Sequence, residues 1–132
     1  MHKLIVYVDD DSDDIELLKE AFQDVDTHKL RTFHSGSELY PFLEENGKGV
    51  CMIVLDINMP VESGMDILRK LRALPDYTRL PIALLSTTTQ GSHKTEASFL
   101  GASLISKPVQ YADIKLLPRQ LIDYCEQYQR FE

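Results

Sequence analysis

Residues 51–56, Cys-Met-Ile-Val-Leu-Asp, place five apolar side chains in a row and then an aspartate. Three other short runs end in the same way: Leu4–Val8 precedes three aspartates, Pro81–Leu85 precedes a serine, and Ser103–Ser106 precedes a lysine. Runs rich in Val, Ile and Leu, separated by helix-length segments, are typical of buried parallel strands. Residues 51–56 therefore predict a central strand that ends in a carboxylate.

Segments with helical periodicity separate these strands. Ser12 is expected to cap the first helix, whose apolar side chains recur every three or four positions. A wetter edge strand is expected at residues 29–33, where polar and apolar side chains alternate. Pro118 lies inside the last helical pattern and predicts a kink or a new first turn there. The expected helices are residues 12–25, 35–46, 67–74, 91–100 and 114–128.

This order of strand and helix, repeated five times, predicts an α/β fold with a parallel sheet between two layers of helices. We expect one domain over residues 1–132, with no effector domain. In such open sheets, ligands bind at the carboxyl ends of the strands. The polar residues that end the four apolar runs should therefore meet at one edge.

Composition narrows the function classes. The net charge is −7 and the basic residues form no stripe, which argues against nucleic-acid binding. No apolar stretch approaches the ~20 residues that a membrane span needs, and residues 1–11 do not resemble a signal peptide. Cys51 and Cys125 lack metal-motif spacing and are predicted to be separate core or surface residues. These features favour a reducing, cytoplasmic location.

Asp9, Asp10 and Asp56 predict a Mg²⁺ site. Carboxylates gathered at one strand edge repel one another unless a cation joins them, and Mg²⁺ prefers oxygen ligands. Acids are also common before a helix N-terminus, which is the alternative explanation for Asp9 and Asp10. Asp56 also ends a buried strand and is expected at the same edge as Asp9 and Asp10, which favours the metal site. Asp56, held rigidly at a strand end, is also suited to act as a nucleophile that forms an acyl phosphate.

Ser86 and Lys107 are candidates for binding phosphoryl oxygens. A serine hydroxyl donates to such oxygens, and a lysine ammonium is a point charge that attracts carboxylate and phosphate groups. Each also has an ordinary explanation, since Ser86 could belong to turn chemistry before the next helix and Lys107 could simply end a strand. Neither residue decides the matter alone.

Taken together, these motifs resemble the receiver domain of bacterial two-component response regulators, over essentially the whole chain. The stretch Leu74–Pro81 further resembles stand-alone receivers related to phytochrome-associated regulators. The resemblance implies a flavodoxin-like (βα)5 sheet in the order 2-1-3-4-5. The motifs that carry it are Val8-Asp9-Asp10-Asp11, Leu55-Asp56-Ile57-Asn58-Met59-Pro60 with Ser63-Gly64, Leu85-Ser86-Thr87, and Lys107-Pro108.

The resemblance also implies roles for the site residues. Asp56 would accept a phosphoryl group from a histidine kinase or a histidine phosphotransfer protein. Asp10 would be the main side-chain ligand of Mg²⁺, Asp9 would act largely through water, and Asn58 would supply its backbone carbonyl. Ser86 would donate a hydrogen bond to a phosphoryl oxygen, and Lys107 would pair with the phosphate. Such a protein would assist its own phosphorylation and dephosphorylation rather than act as an enzyme on other substrates.

Two positions depart from the usual receiver pattern. Leu104 stands where receivers usually carry a Tyr or Phe that reports phosphorylation, and Thr87 stands where Ala or Gly is common. Output is expected through protein contacts, with residues 91–128 as a partner or homodimer surface that includes Tyr111, Tyr124 and Tyr128.

Two other functions remain open on the sequence. The first is a pseudo-receiver, which shares the fold and serves only as an interaction module. The second is an aspartate-nucleophile phosphohydrolase. Such an enzyme would need a second aspartate two residues after the nucleophile, and Asn58 occupies that position.

Overall fold

The computed structural model describes residues 3–87 and 92–129. These residues form five strands and five α-helices that alternate along the chain. In chain order they are β1 Leu4–Val8, α1 Ser12–Ala21, β2 Lys29–Phe33, α2 Gly36–Asn46, β3 Val50–Asp56, α3 Gly64–Arg72, β4 Ile82–Ser86, α4 Ser92–Phe99, β5 Ser103–Ser106 and α5 Tyr111–Gln129.

The sheet is parallel, with strand order β2-β1-β3-β4-β5. The predicted fold class and strand order are therefore confirmed. All seven residues of β3 are buried, as expected for a central strand covered on both faces. Exposed and less exposed residues alternate along β2 up to the buried Phe33, in agreement with its predicted position at an edge.

Two hydrophobic layers hold the helices to the sheet. On one face, α1 and α5 pack on alternate residues of the strands, through side chains such as Ile15, Leu18, Leu117 and Leu121. On the other face, α2, α3 and α4 pack on the intervening residues. Burying each such Leu or Ile side chain contributes about 1.5–3 kcal/mol, so both layers are needed for a stable sheet. This arrangement leaves the carboxyl ends of the strands open at one edge.

Asp11, and not Ser12, caps α1. The Asp11 carboxylate accepts hydrogen bonds from the backbone N–H groups of Asp13 and Asp14, at 2.9 and 3.4 Å. The prediction of Ser12 as the cap is wrong because its hydroxyl lies 3.3 Å from His34 Nε2 and Ser12 begins the helix itself. The helix also ends earlier than predicted, at Ala21, because the chain turns at Phe22.

The last helix runs through Pro118 without interruption. Of the two expected effects, the new first turn at this residue is therefore wrong, and the kink stays a prediction. Pro118 is buried, so its ring belongs to the inner side of α5. Residue 91, which opens the predicted fourth helix and the predicted partner surface, lies outside the described residues, and so does the side chain of Tyr128.

Cys51 and Cys125 form a disulfide between β3 and α5. The prediction of two separate cysteines is wrong. The two residues are 74 positions apart, and the sequence gives no sign that α5 crosses directly over the start of β3. Both residues are fully buried. Within residues 3–87 and 92–129, none of the helices combines the length and apolar character that a membrane span requires.

Candidate functional site

Four strand ends deliver polar side chains to the open edge of the sheet. Asp9 follows the last residue of β1, Asp56 ends β3, Ser86 ends β4, and Lys107 follows the last residue of β5. Because the strands are parallel and adjacent, these positions lie side by side, as the sequence predicts. In the strand register, Asp56 pairs with Leu85, and Ser86 lies one residue beyond that pair.

Three carboxylates cluster at this edge. Asp9, Asp10 and Asp56 each place one carboxylate oxygen within 4.8 Å of the others. Asp9 and Asp56 are buried, at 0% and 2% exposure, whereas Asp10 is exposed. Burial raises the pKa of Asp56 to about 6, the negative charge of Asp9 adds to the rise, and Lys107 opposes it. The cluster therefore holds more negative charge than its single lysine balances.

Lys107 is the cation shared by these acids. Its Nζ lies 2.8 Å from Asp14 Oδ2, 3.0 Å from Asp9 Oδ2 and 3.4 Å from Asp56 Oδ2. Burial acts to lower the pKa of Lys107, but the hydrogen bonds and charges of these carboxylates outweigh it and raise that pKa overall. The ammonium is therefore held in its charged form, within reach of anything bound at Asp56.

The loop after β3 is tied to Asp56. The Asn58 N–H donates to Asp56 Oδ1 at 3.2 Å, and the Asn58 amide donates to Thr87 Oγ1 at 3.3 Å. Gly64 opens α3 so close to β3 that a Cβ there would lie 2.5 Å from the Asp56 carbonyl oxygen. Only glycine fits at this point, so the Ser63-Gly64 part of the motif has a steric reason.

Ser86 is buried, at 1% exposure, at the end of β4. Its carbonyl oxygen accepts a hydrogen bond of 2.8 Å from the Lys107 N–H, which joins the ends of β4 and β5. Ser86 and Lys107 are thus held in fixed positions relative to each other by the backbone. The side chain of Lys107 contacts the acidic cluster, so the end of β4 is tied to a residue of that cluster's surroundings.

Two residues of this site were missed by the sequence reasoning. Tyr7 is buried on β1 and donates its hydroxyl hydrogen bond to Asp9 Oδ2. Burial and this hydrogen bond raise the pKa of Tyr7 above its usual value, so the hydroxyl keeps its proton. Tyr7 lies two residues before Asp9, which puts both side chains on one face of the strand, and that spacing was an available signal. Asp14, in the first turn of α1, is the second missed residue, and its carboxylate lies 2.8 Å from Lys107 Nζ.

The donor set fits a hard divalent cation. All three clustered groups offer carboxylate oxygens, and two of the three carboxylates are buried. Burial raises the pKa of Asp56, and the negative charge of Asp9 adds to the rise. Mg²⁺ and Mn²⁺ bind such oxygen ligands. The two cysteine sulfurs, which would favour softer metals, are joined in the disulfide between β3 and α5.

Comparisons with known proteins agree with this geometry. A model of the response regulator receiver domain family matches residues 5–117. The response regulator Rcp1 of Synechocystis sp. is 29% identical over 92 residues, which cover 65% of this chain and 63% of Rcp1. The match therefore spans less than two thirds of the length of that relative.

Solved structures share the fold. The phosphorylated cyanobacterial phytochrome response regulator RcpA aligns with a TM-score of 0.79 and 24% identity, over 94% of each chain. The Mn²⁺-bound form of Rcp1 aligns with a TM-score of 0.73 and 24% identity, over 87% of this chain and 88% of Rcp1. At these identities, the likeness to the two structures establishes the common fold.

Proposed function

Because the chain belongs to the response regulator receiver domain family of two-component signalling, we propose that it accepts a phosphoryl group on Asp56 with Mg²⁺ bound beside it. The donor would be a phosphohistidine of a histidine kinase or a histidine phosphotransfer protein. One arrangement carries the proposal: the buried Asp56 carboxylate ends the central strand beside two further carboxylates, Asp9 and Asp10, and 3.4 Å from the charged Lys107.

In this proposal an Asp56 carboxylate oxygen attacks the phosphorus atom. A P–O bond forms as the P–N bond to the donor histidine breaks, and the bonding electron pair leaves with the imidazole. The Asn58 N–H fixes the position of the attacking carboxylate. Lys107, 3.4 Å from Asp56, would turn from Asp9 and Asp14 toward the negative charge on the phosphoryl oxygens. The Ser86 hydroxyl would donate to one of the same oxygens.

The metal would be held by Asp10 and Asp56, by the backbone carbonyl of Asn58, and by Asp9 through water. When bound there, Mg²⁺ supplies positive charge that the cluster lacks and that the phosphoryl oxygens require. The exposed position of Asp10 suits a ligand that meets an ion entering from solvent. Asp9 is buried and already accepts hydrogen bonds from three donors, so it is suited to contact the metal through water and not directly. Support also comes from Rcp1, whose structure was solved in a Mn²⁺-bound form.

Labelling by acetyl phosphate tests the proposal. The wild-type protein is expected to acquire a stable phosphoryl label that requires Mg²⁺ and is lost in Asp56→Asn. The exposed Asp76→Asn is the matched control for removal of one carboxylate and should label normally. Labelling that persists in Asp56→Asn would reject Asp56 as the acceptor. A wild-type protein that binds no metal and takes no label would instead favour the pseudo-receiver function.

A further inference from the structure

Asp9 is a buried carboxylate whose hydrogen bonds come from three donors. Its Oδ1 accepts from the Asp11 N–H at 3.0 Å, and its Oδ2 accepts from Lys107 Nζ at 3.0 Å and from the Tyr7 hydroxyl. A carboxylate with no exposed surface must be hydrogen-bonded, because desolvation of an unpaired charge is strongly unfavourable. Lys107 is the one cationic side chain among these three donors.

Lys107 has competing partners. Three carboxylates share its ammonium, and in the proposed function the phosphoryl group on Asp56 attracts it as well. When Lys107 turns toward that group, Asp9 Oδ2 loses its charged partner. Among the described residues, the remaining donor at this oxygen is Tyr7.

The position of Tyr7 allows its hydroxyl to stay hydrogen-bonded to Asp9 when Lys107 turns away. Its ring is packed in the layer beneath α1 and α5 and is 2% exposed, so the hydroxyl cannot swing into solvent. Both Tyr7 and Asp9 lie on the same face of the chain at the end of β1, which fixes the donor against the acceptor. Lys107 is shared by three carboxylates, whereas the Tyr7 hydroxyl donates to Asp9.

We propose that Tyr7 is a positioning residue whose hydroxyl holds Asp9 Oδ2 and keeps it satisfied while Lys107 leaves to bind the phosphoryl group. This inference rests on the proposed function. It gives Tyr7 a larger effect in the phosphorylated state than in the resting state, where Lys107 and Tyr7 both serve Asp9. A residue that only filled the core would show no such difference.

Tyr7→Phe tests the proposal, because it removes the hydroxyl and leaves the ring in place. Mg²⁺ affinity would be measured on the metal-free protein, and the affinity for beryllofluoride, a phosphoryl mimic, would be measured at saturating Mg²⁺. We expect the beryllofluoride affinity to fall about tenfold, the size of a lost hydrogen bond to a charged group. Mg²⁺ affinity should not fall, since losing a donor leaves Asp9 with more unbalanced negative charge.

Tyr40→Phe is the matched control. The Tyr40 hydroxyl also donates to a carboxylate, Glu62 Oε2 at 3.0 Å, but outside the cluster. This variant should bind beryllofluoride as the wild type does. In addition, the tyrosine ultraviolet difference signal produced by beryllofluoride should be retained in Tyr40→Phe and largely lost in Tyr7→Phe.

Each other outcome rejects the proposal. Unchanged beryllofluoride affinity in Tyr7→Phe would show that the hydroxyl has no role in the phosphorylated state. An equal loss of Mg²⁺ and beryllofluoride affinity would show that Tyr7 only maintains the shape of the acidic cluster. A wild-type protein that fails to bind beryllofluoride would reject the proposed function itself, and the role of Tyr7 with it.

Discussion

At the scale of single residues, the acidic cluster is unfavourable for the fold that holds it. Asp56 is buried beside Asp9, and both effects raise its pKa from 3.8 to about 6. The pKa of Asp56 is higher in the folded chain than in the unfolded chain, so ionisation of Asp56 opposes folding. The free energy of unfolding is therefore highest below pH 3.8, where Asp56 is protonated in both states, and falls as the pH rises through about 6. The apo protein at neutral pH therefore carries a destabilising charge that a bound cation would relieve.

Asp56→Asn should consequently stabilise the metal-free protein at neutral pH. We expect the free energy of unfolding at pH 7 to rise by on the order of 1–2 kcal/mol, with little difference below about pH 4. Urea unfolding in the presence of a chelator, at a series of pH values, measures this. The control is the exposed Asp76→Asn, which should show no comparable gain. A variant less stable than the wild type at pH 7 would contradict the electrostatic account.

Val61 is strained. It has a φ of 65° in the loop after β3, and its side chain is fully exposed. Branched side chains avoid this left-handed region, whereas asparagine adopts it readily. Val61→Asn should raise the free energy of unfolding by about 0.5–1 kcal/mol. Val109→Asn removes another exposed valine, which lacks a positive φ, and thermal unfolding of that control should show no gain.

The sequence predicts the gathering of Asp9, Asp56, Ser86 and Lys107 because this depends only on where strands end and in which order they pair. It does not predict the contacts of Lys107, which depend on how side chains extend from those ends. Asp14 reaches the lysine only because α1 starts directly above the cluster. Tyr7 was missed because an apolar strand gives an aromatic residue an ordinary reason to be there.

At the scale of elements, the helices and strands follow from hydrophobic periodicity, but their ends do not. Asp11 and Ser12 are both good capping residues, and the choice between them depends on the direction of the chain leaving β1. Pro118 interrupts a helix in isolation, yet the packing of α5 on the sheet keeps the helix continuous. Tertiary contacts therefore decide both where α1 begins and whether α5 continues through Pro118.

The link between β3 and α5 is also tertiary. The Cys51–Cys125 disulfide closes a large loop, with a sequence separation of 74 residues. Removing it by Cys51→Ala with Cys125→Ala should lower the free energy of unfolding by about 2–4 kcal/mol under non-reducing conditions. Urea unfolding with and without a dithiol reductant measures the effect, and reduced wild type should approach the double variant. Wild-type stability that does not respond to the reductant would contradict a stabilising disulfide.

At the scale of the whole molecule, several large apolar side chains in the last third of the described chain are exposed. They lie at the end of α4, before α5 and on α5: Phe99, Val109, Tyr111 and Leu116, with exposures of 87%, 82%, 49% and 67%. The sequence-based partner or homodimer surface, residues 91–128, covers this part of the chain and stays a prediction.

Self-association tests this surface. With Mg²⁺ and beryllofluoride, the average mass in sedimentation is expected to rise above that of the untreated protein. Leu116→Ser should reduce the rise, because it removes exposed apolar area from the contact. A mass that beryllofluoride leaves unchanged would argue against a phosphorylation-dependent homodimer and direct attention to a different partner protein.

The proposed function requires the phosphoryl group to be on Asp56, and mapping that group on the wild-type protein is the most direct measurement. The protein would be treated with acetyl phosphate, with Mg²⁺ or with a chelator, and then digested and analysed by mass spectrometry. We predict one Mg²⁺-dependent acyl phosphate, located on Asp56. A label on any other residue, or one that forms equally in the chelator, would contradict the proposed site.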